Sequence, residues 1–147
     1  MKDSRTGAVG VVGLVLGLLL KYQALLNIPL EYKREALLLF PMVARFAQVQ
    51  MAVGAQRART DGLGAAFIGG AGVTQFIIAY FTTLSAAWLL FSLKGICMVL
   101  LLYVATWLVK KWFHRRLGGV TGDVIGCVSE LNEIGCLLIL LTLTGNR

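Results

Sequence analysis

Apolar runs separated by short polar stretches set the pattern of the chain, and they predict helices. The first run, Gly7 to Pro29, follows the polar MKDSRT and is interrupted by Lys21 and Tyr22; Gly10, Gly13 and Gly17 are spaced along it for close packing on one side. Leu30 to Glu35, with Glu31, Lys33, Arg34 and Glu35 after Pro29, reads as a short exposed loop. The second run, Ala36 to Gly54, holds Pro41, Arg45, Gln48 and Gln50 and is a weak hydropathy span with Arg45 near its middle. Gln56 to Gly64, QRARTDGLG, is a polar loop. Ala65 to Leu93 forms a third span, with an irregular start around Gly69, Gly70 and Gly72. Lys94-Gly95 makes a tight turn into a shorter fourth span, Ile96 to Val109. The basic, aromatic Lys110 to Arg116 suits an interface, and a fifth helix runs from near Thr121 to about Thr144. Since about 20 apolar residues cross a bilayer, the pattern predicts an all-α polytopic membrane protein of about five transmembrane helices, with residues 1–147 forming one membrane domain.

Composition strengthens that reading. Hydrophobic residues make up 58% of the chain and charged residues 14%, with a mean hydropathy of +0.79; soluble domains carry roughly a quarter charged residues. The net charge of +7 would suggest nucleic acid in a soluble protein. Here the basic residues sit in short segments between apolar runs, where the positive-inside effect accounts for them and nucleic-acid binding is not implied. Cys97, Cys127 and Cys136 all lie within apolar runs, no CxxC pair occurs, and His114 is the single histidine. Zinc and haem sites therefore have little support.

Candidate chemistry concentrates in Gly118 to Glu133, ahead of the apolar run Ile134 to Leu143. Asp123 and Glu130 fall about 20° apart on a helix surface, and Glu133 lies within about 80° of Asp123. All three look out of one side. Gly119, Gly122 and Gly126 beside them leave backbone open to a ligand or another helix. A helix start capped by Thr121 or Asp123 accounts for Asp123. It does not account for Glu130 and Glu133, which lie about 10 to 15 Å further along the axis. Acids inside a membrane mark function or a pairing with an intramembrane cation.

Lys2, Arg5, Arg57, Arg59, Lys110, Lys111, Arg115 and Arg116 fall on one side of a five-span topology, against Lys33, Arg34, Lys94 and Arg147 on the other. The richer side is expected to be cytoplasmic. DSRTG, QRARTDGLG and GGVTGD then share that face. Arg45 and Glu133 each lie about ten residues in from it, roughly 15 Å deep. Matched depth makes Arg45 the expected partner of Glu130 and Glu133, since each charge alone is costly there.

With these motifs in place, the chain resembles cobalamin synthase, the integral membrane adenosylcobinamide-GDP ribazoletransferase family. Met1-Lys2-Asp3-Ser4-Arg5-Thr6-Gly7 is similar to the family's M-[RK]-D-S-R-x-G. Ala58 to Gly64, with Phe67, is similar to its Y-A-R-x-x-G-L-G-x-x-F, downstream of an intramembrane Arg that Arg45 matches. Gly118-Gly119-Val120-Thr121-Gly122-Asp123, with Gly126, Glu130 and Glu133, is similar to its G-G-x-T-G-D-x-x-G-A-x-x-E-x-x-E. Cys127 stands where the family has Ala, and Arg57 where it has Tyr. The family's Asp-rich D-G-x-A-D-x-x-D-G segment, to which its metal binding is ascribed, has no counterpart here. The resemblance therefore implies that the chain is a C-terminal fragment, a split-gene product or a mis-started reading frame.

The resemblance implies transfer of α-ribazole, or its 5′-phosphate, onto adenosylcobinamide-GDP with release of GMP, at the plasma (inner) membrane. Such a step needs alignment, charge neutralisation and a base. On this reading Mg²⁺ bridges diphosphate oxygens and Asp123 is the metal ligand or holds a ribose hydroxyl. Asp123, Glu130, Glu133 and Arg45 are the catalytic candidates. Asp3, Ser4, Arg5, Arg57, Arg59, Gly119, Thr121 and Gly122 are the substrate-binding candidates, the arginines for bidentate phosphate contacts and the Gly118–Gly122 backbone for cradling phosphate. Topology signalling explains Arg57 and Arg59 equally well. An N-terminal half or a homo-oligomer is the implied partner. A non-catalytic membrane binding module and a small ion-coupled transporter using Glu130 and Glu133 are the alternatives.

Overall fold

The computed structural model describes residues 8–56 and 63–145, and every element in them is an α-helix. In chain order these are α1 (Ala8–Asn27), α2 (Leu30–Ala52), α3 (Leu63–Gly70), α4 (Val73–Leu117) and α5 (Gly122–Thr144). The protein is an all-α polytopic membrane protein. Helices α1, α4 and α5 are each long and apolar enough to cross a bilayer. At 45 residues, α4 would extend about 67 Å if straight, roughly twice the apolar thickness of a membrane.

It is not straight. Ser92 adopts φ 51°, ψ −140°, outside the helical region and uncommon for a residue with a Cβ. A Cβ added to Gly95 would lie 2.3 Å from the carbonyl oxygen of Ala87, although those residues would stand about 12 Å apart along a straight helix. The chain therefore folds back into two arms, and only glycine fits where they meet. The turn expected at Lys94-Gly95 is present, pivoting at Ser92.

Two boundaries differ from the hydropathy pattern. Leu30 to Glu35, expected as an exposed loop, is instead the start of α2. Pro29, with φ −53°, sits at its N-cap, and Glu31 lies in the first turn, where a carboxylate suits the helix dipole. The expected third span begins later than Ala65. The short α3 stops at Gly70, and α4 starts after Gly72, whose N–H donates to Gln75 Oε1 at 3.0 Å.

Helix α2 has the weakest hydropathy pattern and the most central place. It packs on α5 and α4, while α1 rests on α5. Its buried residues include Leu39, Val43, Phe46 and Met51, so little of it has to face lipid. Phe46 also meets Phe76 and Tyr80 of the first α4 arm and Tyr103 of the second, with ring centroids 5.8, 5.8 and 6.1 Å away.

Two apolar clusters form the core. One joins Leu39, Val43, Val99, Leu102, Leu137 and Leu140; the other joins Met51, Ala52, Ile68, Val120, Ile125 and Val128. Buried polar side chains, Gln50, Thr106, Ser129 and Asn132, lie along the helices between them. The second cluster marks the end where α2 and α4 finish and α5 begins. There Lys110 Nζ donates to the carbonyls of Gln50 (2.8 Å) and Val53, completing groups that a helix C-terminus leaves open. Gly118 ends α4 in the left-handed conformation, φ 69° and ψ 7°.

Candidate functional site

At this end the GGVTGD turn meets Gln56, the first residue of QRARTDGLG. The Val120 N–H donates to the Gln56 carbonyl at 2.9 Å, and the Gln56 N–H donates to His114 Nε2 at 3.2 Å. His114 Nδ1 lies 2.9 Å from the Lys110 carbonyl. The ring thus lies between the Lys110 carbonyl and the Gln56 N–H, whose own carbonyl accepts from Val120. In the sequence His114 stood out only as a lone histidine within the interfacial stretch Lys110 to Arg116.

Thr121 is the N-cap of α5: its Oγ1 accepts the Val124 N–H at 3.4 Å. Gly122 opens the helix, Asp123 stands exposed in its first turn, and Gly119 is buried behind them. The cap question is settled for Thr121, which leaves the Asp123 carboxylate free to point outward. Asp3, Ser4, Arg5, Arg57 and Arg59 lie outside the described residues.

Deeper along α5, the expected pairing is corrected. Glu130 and Glu133 do not take Arg45 as their cation: Lys21 Nζ lies 2.6 Å from Glu130 Oε2 and 2.9 Å from Glu133 Oε2. Arg45 instead donates from Nη1 to Gln48 Oε1 at 3.0 Å, and Gln48 Nε2 donates to Ser129 Oγ at 3.0 Å. Arg45 lies beside this part of α5, but on another face. Helix α5 turns Ser129 and Asn132 inward and Glu130 toward α1. Helices α1 and α5 start at the same end, and a Cβ on Gly17 would lie 3.6 Å from Ile134. Lys21 is thus a turn beyond Gly17, and its side chain reaches back toward the helix N-terminus, the direction helical side chains lean. The missed signal was a lone lysine inside an apolar run, which needs a partner.

The lysine and both acids differ in access. The side chains of Lys21 and Glu133 are 15% and 19% exposed, whereas Glu130 is 59% exposed. Glu130 lines a groove of about 630 Å³ along the α1–α5 seam, with Gly10, Gly13, Gly17, Cys127 and Ile134. On the inward side, Asn132 Nδ2 donates to Thr106 Oγ1 and to the Val128 carbonyl, both at 2.9 Å.

The magnesium ion implied by the resemblance finds no cage here. Among the described residues no three His, Cys, Asp or Glu side chains come together to hold a metal. Asp123 stands about 10 Å from Glu130 along the axis, and the two carboxylates that do converge already hold an ammonium. The described residues do not by themselves make a Mg²⁺ site.

A capped, glycine-rich helix start with an outward carboxylate is thus tied to Gln56 and backed by a deeper ion cluster. The family model for cobalamin-5-phosphate synthase matches residues 1–141. The chain belongs to that family. It is 61% identical over 145 residues to a protein of Geotalea daltonii named adenosylcobinamide-GDP ribazoletransferase, covering 99% of this chain and 58% of that protein. Proteins of the same name from Desulforamulus reducens and Thermoanaerobacter sp. are 37% and 32% identical, covering 96% and 98% of this chain and 57% and 58% of their own lengths. The chain therefore spans a little under three-fifths of the curated relatives it matches. No solved structure matches it.

Proposed function

We propose that the chain carries part of an adenosylcobinamide-GDP ribazoletransferase site in cobalamin biosynthesis, at the end of the bundle where α5 begins. The observation that supports this most is the Val120–Gln56 backbone bond, because it ties the GGVTGD turn to Gln56, a residue far away in sequence. In the reaction a hydroxyl oxygen of α-ribazole, or of its 5′-phosphate, bonds to the cobinamide-bearing phosphorus of the diphosphate. The bond from that phosphorus to the bridging oxygen breaks, and GMP leaves with the bridging oxygen. The hydroxyl proton passes to a base.

Within that reading, the free N–H groups and dipole at the start of α5, around Gly119, Thr121 and Gly122, favour a phosphate. Asp123, exposed beside them, orients the attacking hydroxyl and accepts its proton. Glu130 and Glu133, about 10 and 15 Å further along the axis, are too deep to share that atom. Arg45 reaches α5 through Gln48 and Ser129. No step is assigned to Mg²⁺, for want of a cage among the described residues. The motif end faces the cytoplasm of a plasma (inner) membrane, by the excess of Lys and Arg on that side. The rest of the site is supplied by the part of the relatives this chain does not span, as an N-terminal half, or by a second copy of this chain.

The test is release of GMP from adenosylcobinamide-GDP in the presence of α-ribazole, by membranes containing this chain joined to the remaining part of a relative. Turnover in the parent and its loss in Asp123→Asn support the reading. No turnover, with an intact relative active in parallel, overturns it.

A further inference from the structure

We propose that the outward face at the end of α4 is a binding site for the headgroup of an anionic phospholipid, with Lys111, Arg115 and Arg116 as its phosphate contacts. The basic stretch Lys110 to Arg116 divides into two sets. Lys110 and His114 are turned inward: Lys110 donates to the Gln50 and Val53 carbonyls, and His114 accepts from the Gln56 N–H. Lys111, Arg115 and Arg116 are exposed. Among the described residues none of these three has a carboxylate partner. The inward pair joins α4 to the end of α2, whereas the outward three take no part in holding the bundle together.

The order of side chains along that face points to what covers it. Leu101, Val104 and Leu108 are exposed, and the exposed rings of Trp107 and Trp112 follow. Lys111 Nζ stands 5.0 Å from the centroid of the Trp107 ring, a cation–π distance. Arg115 and Arg116 come in the last turn. At 100° per residue all of these fall within one half of the helix surface, and Leu101 to Arg115 spans about 21 Å. Apolar, aromatic and cationic bands in that order match the acyl chains, interface and headgroups of one leaflet. Lys111 and Arg115, four residues apart, are neighbours on the helix, so one phosphodiester can sit between them, and the guanidinium can hold it with two parallel N–H groups. A zwitterionic lipid brings its own ammonium to such a site; an anionic one brings net charge that the three cations balance. A soluble phosphate would have no use for the apolar and aromatic bands. This inference rests on the α4 face and not on the transferase reading, and its test measures lipid preference rather than turnover.

The experiment is tryptophan quenching of the 147-residue chain in nanodiscs of brominated phosphatidylcholine. Trp88→Phe leaves Trp107 and Trp112 as the reporters, and equal leaflets make the orientation of the chain immaterial. Unbrominated phosphatidylglycerol is expected to restore fluorescence at a mole fraction several-fold lower than unbrominated phosphatidylcholine requires. Adding Lys111→Gln, Arg115→Gln and Arg116→Gln is expected to abolish that preference. Equal recovery by the two lipids in the parent overturns the proposal, and so does a preference that survives the three changes. Loss of the preference on adding GDP at constant ionic strength assigns the cations to a soluble phosphate and also overturns it. Should the combined variant fail to fold, Arg115→Gln and Arg116→Gln decide singly: a reduced preference in either supports the proposal, and an unchanged preference in both overturns it.

Discussion

Ser129 and Asn132 on one stripe of α5 meet neutral partners from α2 and α4, whereas Glu130 and Glu133 on the next stripe meet the ammonium of Lys21 from α1. The two stripes share a helix and a depth, and they solve the same problem differently. The inward stripe is buried and uncharged, so each hydrogen bond fixes which helix packs where without the desolvation cost of an ion. The outward stripe keeps its charge and leaves Glu130 reachable from a groove. Neutral bonds hold the inside of the bundle; the ionic cluster stands at its edge.

The largest expected effect breaks the inward stripe. Asn132→Leu removes the partner of Thr106, which is 2% exposed, and forces a differently shaped side chain against α4. Leaving a buried hydroxyl unpaired costs about 1–3 kcal/mol, and misfit packing adds about as much. A loss of roughly 2–4 kcal/mol is expected, read as a lower denaturation midpoint in detergent. Thr106→Val with Asn132→Leu replaces both partners by apolar groups and should recover part of it.

What was legible in the sequence follows the same division. Local features came through: the helix start at Thr121, the turn near Gly95 and the weak hydropathy of α2 all depend on residues near each other in sequence. The cation of the acid pair did not. Hydropathy places residues by depth, and depth alone matched Arg45 to the acids. The choice between Arg45 and Lys21 depends on which helix lies on which face of α5, and α1 rests on α5 rather than on α2, its neighbour in sequence. Leu30 to Glu35 was misread for a related reason. Four charges in six residues suggest a loop, yet a helix start after Pro29 accommodates them at the end of the bundle.

A second test moves to the outward stripe. Lys21 and Glu133 are both mostly buried and 2.9 Å apart, so a double-mutant cycle between Lys21→Met and Glu133→Gln should show coupling of about 1–3 kcal/mol. A cycle that comes out additive would reject the ionic contact. Smaller still is Glu130→Gln, where the carboxylate is 59% exposed. Exposed ion pairs contribute about 0–1 kcal/mol, so its midpoint should shift by less than about 1 kcal/mol. Under the transferase reading it should nonetheless lower turnover, separating access from stability.

The smallest effect bears most directly on the comparison. A cycle between Arg45→Ala and Glu130→Gln should be additive to within about 0.5 kcal/mol, as expected for groups that share no partner. Arg45 is exposed and reaches α5 only through Gln48 and Ser129, and Ser129 belongs to the inward stripe. Truncating Arg45 removes one donor from Gln48 Oε1 and leaves Lys21 between the acids. By contrast, Arg45→Ala combined with Ser129→Ala should be non-additive, because both changes act on Gln48. If Arg45 couples instead to Glu130, the two stripes share a charge network, and the division between a neutral inner face and an ionic outer face fails. If it couples to Ser129 alone, Arg45 belongs to the scaffold side of α5, and Lys21 is the cation that serves its acids.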